Sequence, residues 1–293
     1  MRTRQKSCRA EGRGATFKPF RCAILREKGD LEALFVRSGY ALSVIFLFLT
    51  AAVAKAQSKD VPAEGFLARS YHSSAGETIR YRLFVAPGYD AAKKYPVVLW
   101  LHDAGGRGSD NLKQISGSNF PGSHIWTTPE NQAKYHAFVL APQVDITKGW
   151  ARPHANTPPV SIRLALETLD ALEKEYSIDP EEVYVIGQSM GGEGVWAALS
   201  NSPGRFAAAI ALCGYGDASM IAHVAKVPVW IFQGQVDPVV PVEKAREWVG
   251  SLRQVGGNPK YTEYPGIGHA AWDVAFSEPD LVPWLFAQRL KNN

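Results

Sequence analysis

Ser189 lies in Gly187-Gln188-Ser189-Met190-Gly191, between Val183-Tyr184-Val185-Ile186 and a stretch of small residues leading to Val195-Trp196-Ala197-Ala198-Leu199. β-Branched and aromatic residues before the motif predict a buried strand, and the stretch after it predicts a helix, so the serine is expected at a sharp turn between them. A side chain projected from so tight a turn sits on strained backbone, and glycine at 187 and 191 lets the neighbouring elements close around it. The free N–H groups at the start of the following helix favour developing negative charge near the serine oxygen. The string is short, and a chain with 26 glycines can carry one without consequence. It gains weight from an acid and a histidine placed later in the chain.

Asp237, in Gln233-Gly234-Gln235-Val236-Asp237, and His269, in Pro265-Gly266-Ile267-Gly268-His269, are those two residues. Each of the three follows a predicted strand, so a parallel sheet would gather them at its carboxyl edge. In that arrangement His269 takes the Ser189 proton and later returns it to a leaving group, while Asp237 fixes the imidazole tautomer. Asp217, after Gly214-Tyr215-Gly216, follows a different strand and is a second candidate for the carboxylate. The glycine-rich Asp103-Ala104-Gly105-Gly106-Arg107-Gly108 ends the third strand, where an oxyanion donor is needed. Met190 N–H and Ala104 N–H are the expected pair. His102 reads as a structural hydrogen-bonding residue. His72, His124, His136, His154 and His223 have no metal-ligand spacing and read as surface or loop residues, so no metal or cofactor is expected. Glu193, in the first turn after the serine, suits the helix dipole.

The elements that must position these groups run in order along the chain. Strands are expected near 66–71 and 78–86, as an antiparallel pair, then at 96–102 and 137–142. A long loop region covers 107–136, and a helix opens at Pro158-Pro159 and runs to about Tyr176. After the serine, strands at 206–213, 227–232 and 261–264 alternate with a helix at 242–255, and a last helix covers 279–290. Strands alternating with helices indicate parallel pairing with right-handed crossovers. No repeat or second domain is visible.

The amino terminus is different. Residues 1–37 are rich in Arg and Lys, and an apolar run covers about 40–54, shorter than the roughly 20 residues of a spanning helix. Ala54-Lys55-Ala56 then offers small residues where a signal peptidase reads, so residues 1–56 are expected to be a leader cleaved after Ala56. A retained anchor is the alternative. The charged segment is long for a leader, and initiation at Val36 would give one of ordinary length. The leader holds 11 of 32 Lys and Arg and 4 of 28 Asp and Glu, leaving 21 against 24 and a net charge of −3. The apparent basicity belongs to the leader, and nothing points to nucleic acid. Residues 57–293 suffice for one domain. Only Cys213 of three cysteines remains there, so no internal disulfide can form. The expected location is secreted or periplasmic, with no stable membrane anchor after cleavage.

Taken together, Leu101-His102-Asp103-Ala104-Gly105-Gly106-Arg107-Gly108, Gly187-Gln188-Ser189-Met190-Gly191-Gly192, Gly234-Gln235-Val236-Asp237 with Val240-Pro241, and Gly268-His269 with Trp272 resemble the α/β-hydrolases. More narrowly, they look like the secreted, lidless branch that includes feruloyl esterases, polyhydroxybutyrate depolymerases and predicted prolyl-oligopeptidase-like peptidases. The resemblance covers roughly 62–290. It implies an α/β-hydrolase fold, a mostly parallel central sheet with helices on both faces and no large lid. It also implies a serine hydrolase that cleaves carboxylic esters through an acyl-enzyme. One departure stands out: the family usually has His-Gly where this chain has His102-Asp103, and an acidic side chain there could repel an anionic substrate or shift the backbone.

The segment 214–226 is short for a lid, which suits bulky or polymeric esters. Gln188, Trp150, Trp126, Tyr215 and Trp272 are the candidates for lining the substrate cleft, with at least two of the four aromatics expected to be ordinary packing. The alternatives are a peptidase of the same mechanism and a non-catalytic scaffold that binds a ligand.

Overall fold

The computed structural model describes residues 63, 65–151 and 160–290. The expected leader, its cleavage site, the start at Val36, His154 and the Pro158-Pro159 helix start lie outside the described residues. Among the described residues no helix is long and apolar enough to cross a membrane.

Eight strands form one sheet: β1 (Phe66–His72), β2 (Thr78–Phe84), β3 (Tyr95–Leu101), β4 (Phe138–Gln143), β5 (Ile178–Gln188), β6 (Ala208–Leu212), β7 (Val229–Gly234) and β8 (Lys260–Tyr264). Their order is β1-β2-β4-β3-β5-β6-β7-β8. β1 and β2 pair antiparallel, β2 meets β4 antiparallel, and every pairing from β4 through β8 is parallel. The helices are α1 (Phe120–His124), α2 (Pro129–Tyr135), α3 (Val160–Glu175), α4 (Met190–Asn201), α5 (Ile221–Val224), α6 (Val242–Gln254), α7 (Trp272–Ala275) and α8 (Leu281–Phe286).

Side chains alternate across a strand, so each central strand feeds two cores. Val97, Leu99 and Leu101 of β3 and Val183 and Val185 of β5 enter one, with Leu169 of α3, Val195 of α4 and Trp248 of α6. Val98, Trp100, Tyr184 and Ile186 enter the other, with Trp126, Phe276 and Leu285. Apolar residues on both faces are why β3 and β5 read as unbroken hydrophobic runs. The fold is the expected mixed α/β sheet with helices on both sides.

Three expectations are corrected. The region 107–136 is built of short helical turns, including α1 and α2, not of open loop. Thr128 caps α2 by accepting from Asn131 N–H at 3.3 Å, a local signal that Pro129 at the first helical position reinforces. β5 begins at Ile178, five residues before the strand expected from Val183, and takes in Asp179-Pro180-Glu181-Glu182. Its early residues face β3 across an irregular register, which permits a proline there. His124 is buried rather than superficial, its ring stacked 4.0 Å from that of Phe120.

Candidate active site

The turn after β5 is as tight as the motif implied. Ser189 has φ 52° and ψ −119°, a conformation costly for a residue with a Cβ. It is held by Ser189 N–H donating to Leu212 O at 2.8 Å, at the end of β6, and by Glu193 N–H returning to Ser189 O at 3.1 Å. Packing around the turn leaves no room for side chains. A Cβ on Gly187 would overlap Gly191 O, and one on Gly191 would overlap Leu101 O.

Two later loops reach this serine. The Ser189 hydroxyl lies 2.8 Å from His269 Nε2, and His269 Nδ1 lies 2.8 Å from Asp237 Oδ2. With Nδ1–H donating to the carboxylate, Nε2 carries a lone pair toward the hydroxyl. His269 follows β8 through Gly266, whose φ of 70° turns the loop, and Gly234 has no Cβ because Gly268 O packs against it. Asp237 is buried. Its Oδ1 accepts from Val239 N–H at 2.8 Å and Val240 N–H at 2.9 Å, and its Oδ2 also accepts from Gln233 Nε2 at 3.0 Å. The fully buried Gln233 therefore braces the carboxylate, a role hidden in the sequence because a glutamine ending a strand carries no signal. The other candidate acid, Asp217, serves its own turn, accepting from Ser219 N–H and Oγ at 2.9 and 2.6 Å.

Asp103 does not project toward substrate. Its carboxylate is buried in the glycine-rich loop. Oδ1 accepts from Gly105 N–H, Gly106 N–H and Asn119 Nδ2 at 2.8, 3.1 and 2.9 Å, and Oδ2 accepts from Ser118 Oγ and Gln188 Nε2 at 2.6 and 3.1 Å. Burial alone would raise its pKa, but these donors together hold it below the usual carboxylate value. The departure at 103 thus organises the loop instead of disturbing it. The N–H groups of Ala104 and Met190 make no hydrogen bond among the described residues, and Ala104 is exposed.

His102 is fully buried. Its Nε2 accepts from Val144 N–H at 3.0 Å, which leaves Nδ1 to donate to Asp103 O at 2.6 Å. Desolvation pushes its pKa down to about 4, so the ring is neutral and structural, as read from the sequence.

The expected cleft residues separate. Trp126 and Trp150 are wholly buried, with their indole N–H groups donating to Gly122 O at 2.7 Å and His102 O at 2.9 Å. Both are packing. Gln188 is equally buried and turned to Asp103 and to Ser118 O, so it supports the loop from below. Trp272 stands edge-on to His269 at 5.1 Å, and Tyr215 is exposed on the wall of a cavity beside α4 and α6.

Among the described residues, one trio of metal-capable groups lies within 4.8 Å: Cys213, Asp237 and His269. Two of these are already bonded to each other. Burial, and then the charge of Asp237, push the Cys213 thiol up to about 12.

A family model described as "Putative esterase" matches residues 73–291. The chain is 25% identical over 209 residues to a probable carboxylesterase of rice (Oryza sativa subsp. japonica), covering 64% of this chain and 86% of that protein. It is 27% identical over 183 residues to a probable feruloyl esterase C of Aspergillus terreus, covering 60% of this chain and 62% of that protein. A solved thermostable esterase is 36% identical with a TM-score of 0.73, covering 77% of this chain. The match spans 64% of that longer chain.

Proposed function

The chain belongs to the Esterase family of α/β-hydrolases, carboxylic ester hydrolases, and we propose that it works by acyl transfer to Ser189. The observation that carries this reading is the unbroken contact from the Ser189 hydroxyl through His269 to the Asp237 carboxylate.

The Ser189 oxygen attacks the ester carbonyl carbon as its proton passes to His269 Nε2. The C=O pair moves onto oxygen, and the N–H groups of Met190 and Ala104 receive the oxyanion. Collapse re-forms C=O and expels the alcohol, which takes the proton from Nε2. Water then attacks the acyl-enzyme, giving its proton to His269. The second collapse releases the acid and returns that proton to Ser189. Asp237 holds the imidazole orientation and balances its transient charge throughout.

The leader reading adds export, with cleavage after Ala56 and a secreted or periplasmic mature chain. The short segment 214–226 suits a bulky or polymeric ester, with Tyr215 exposed and Trp272 edge-on to His269 as its candidate contacts. Turnover of p-nitrophenyl acetate, methyl ferulate and a peptide amide tests the substrate class. Ester turnover that Ser189→Ala lowers at least about a thousandfold is expected. Turnover of the amide alone would replace the esterase reading with the peptidase one.

A further inference from the structure

Glu193 follows Ser189 by one helical turn, and its backbone is tied to the serine carbonyl. The chain leaving β6 closes against it, since a Cβ on Gly214 would sit 2.6 Å from Glu193 N. Beyond that contact opens a cavity of about 430 Å³ walled by Tyr215, Met220, Ile221 and Trp248, with Glu193 among them. Glu193 thus links the cavity wall to the serine turn, one turn along α4.

The charged groups of this wall differ in their partners. Glu247 accepts from Lys244 Nζ at 2.9 Å, and Asp217 is held by Ser219. The Glu193 carboxylate makes no hydrogen bond or ion pair among the described residues. Arg107, whose charge reaches Glu193, directs its Nε and its terminal guanidinium nitrogen to Met190 Sδ instead, at 3.2 and 2.9 Å. Half-burial without a partner pushes the Glu193 carboxyl up, even with the opposing pull of Arg107. The indole N–H of Trp248 is a second buried group without a partner. Among the described lining residues Glu247 is paired with Lys244 and Asp217 is engaged by its own turn, which leaves Glu193 as the carboxylate without a described partner. A half-buried carboxylate lacking a counter-charge is unfavourable, and a cation arriving with the substrate relieves it. The aromatic faces of Tyr215 and Trp248 favour the same kind of group.

We propose that this cavity is a substrate subsite beside Ser189 that selects esters bearing a compact alkylammonium group, with Glu193 as its counter-charge. The inference rests on the serine-esterase reading.

Isosteric substrate pairs test it. One pair is the p-nitrophenyl esters of trimethylammoniobutanoic acid and of its carbon isostere, with the charge on the acyl side. The other is butyrylcholine and its dimethylbutyl isostere, with the charge on the alcohol side. The wild type is expected to favour the cationic member of at least one pair about tenfold in kcat/KM, and Glu193→Gln to bring that ratio close to one. A wild-type ratio at or below one in both pairs, or an unchanged ratio in folded Glu193→Gln, overturns the subsite. A second measurement needs no variant: tetramethylammonium should competitively inhibit p-nitrophenyl butyrate hydrolysis by the wild type. Inhibition no stronger than that of sodium chloride at equal ionic strength counts against the subsite. Ester turnover that survives Ser189→Ala, or no turnover of any ester, removes the serine-esterase reading and the subsite with it. Turnover that depends on Ser189 but ignores charge removes the subsite alone.

Discussion

Gln188 Nε2 donates to the Asp103 carboxylate at 3.1 Å, joining the residue before the strained serine to the root of the glycine-rich loop. The elbow and the proposed oxyanion loop are thus one hydrogen-bonded unit, and the aspartate that looked like a departure from the family pattern is its centre.

Replacing Asp103 tests that unit. Asp103→Ala leaves five donors without their acceptor and should cost about 3 kcal/mol, with a large fall in ester turnover. Asp103→Asn should cost less, because one oxygen remains and the unpartnered Gln188 Oε1 can turn to accept from the new amide. Urea unfolding midpoints of the two variants decide the order. A fully stable, fully active alanine variant would contradict the bridging role.

The elbow glycines make a sharper steric prediction. Gly191→Ala drives a Cβ into Leu101 O, backbone against backbone, and should cost at least about 3 kcal/mol. Gly250→Ala, in α6 with nothing within 4 Å and a helical backbone, should instead stabilise by about 0.5–1 kcal/mol. Thermal unfolding of the pair checks both signs.

Gln233→Leu removes one donor from Asp237 Oδ2 while keeping an apolar body in a buried site. The expected loss is about tenfold in kcat, the worth of one hydrogen bond, with KM little changed. An unchanged kcat would show that the two backbone donors to Oδ1 suffice.

Acid should weaken the fold through His102. Its folded pKa of about 4 lies below the ordinary value near 6.5, so between these pH values the unfolded chain binds the extra proton. This contribution is fully present above about pH 6.5 and is lost as pH falls toward 4, amounting to at most about 3 kcal/mol. His102→Gln should flatten that part of the stability profile, which denaturant titrations from pH 7 to about pH 4 would reveal.

The strands, their parallel order and the serine, aspartate and histidine loops were legible because each rests on local pattern: alternating or unbroken apolar runs, glycines at turns, an acid and a histidine after strands. The hidden features depend on partners far along the chain. Trp150 read as a cleft aromatic, yet it is closed into the core by His102 O from a distant segment, and Trp126 is closed in by Gly122 O one turn back. Gln233 gave no signal of its own and Glu193 read only as a helix-dipole residue, since their further meaning comes from Asp237 and from the walls that 214–221 and α6 supply. The helical turns of 107–136 were missed because three- to seven-residue helices carry too little periodicity to read.

The central claim is that Ser189 is the nucleophile, and covalent labelling reads it directly. A fluorophosphonate probe followed by peptide mass mapping should modify the wild type at Ser189, abolish ester turnover in proportion, and leave Ser189→Ala unlabelled. A wild type that hydrolyses esters without reacting, or a label found on another residue and retained in Ser189→Ala, would contradict it.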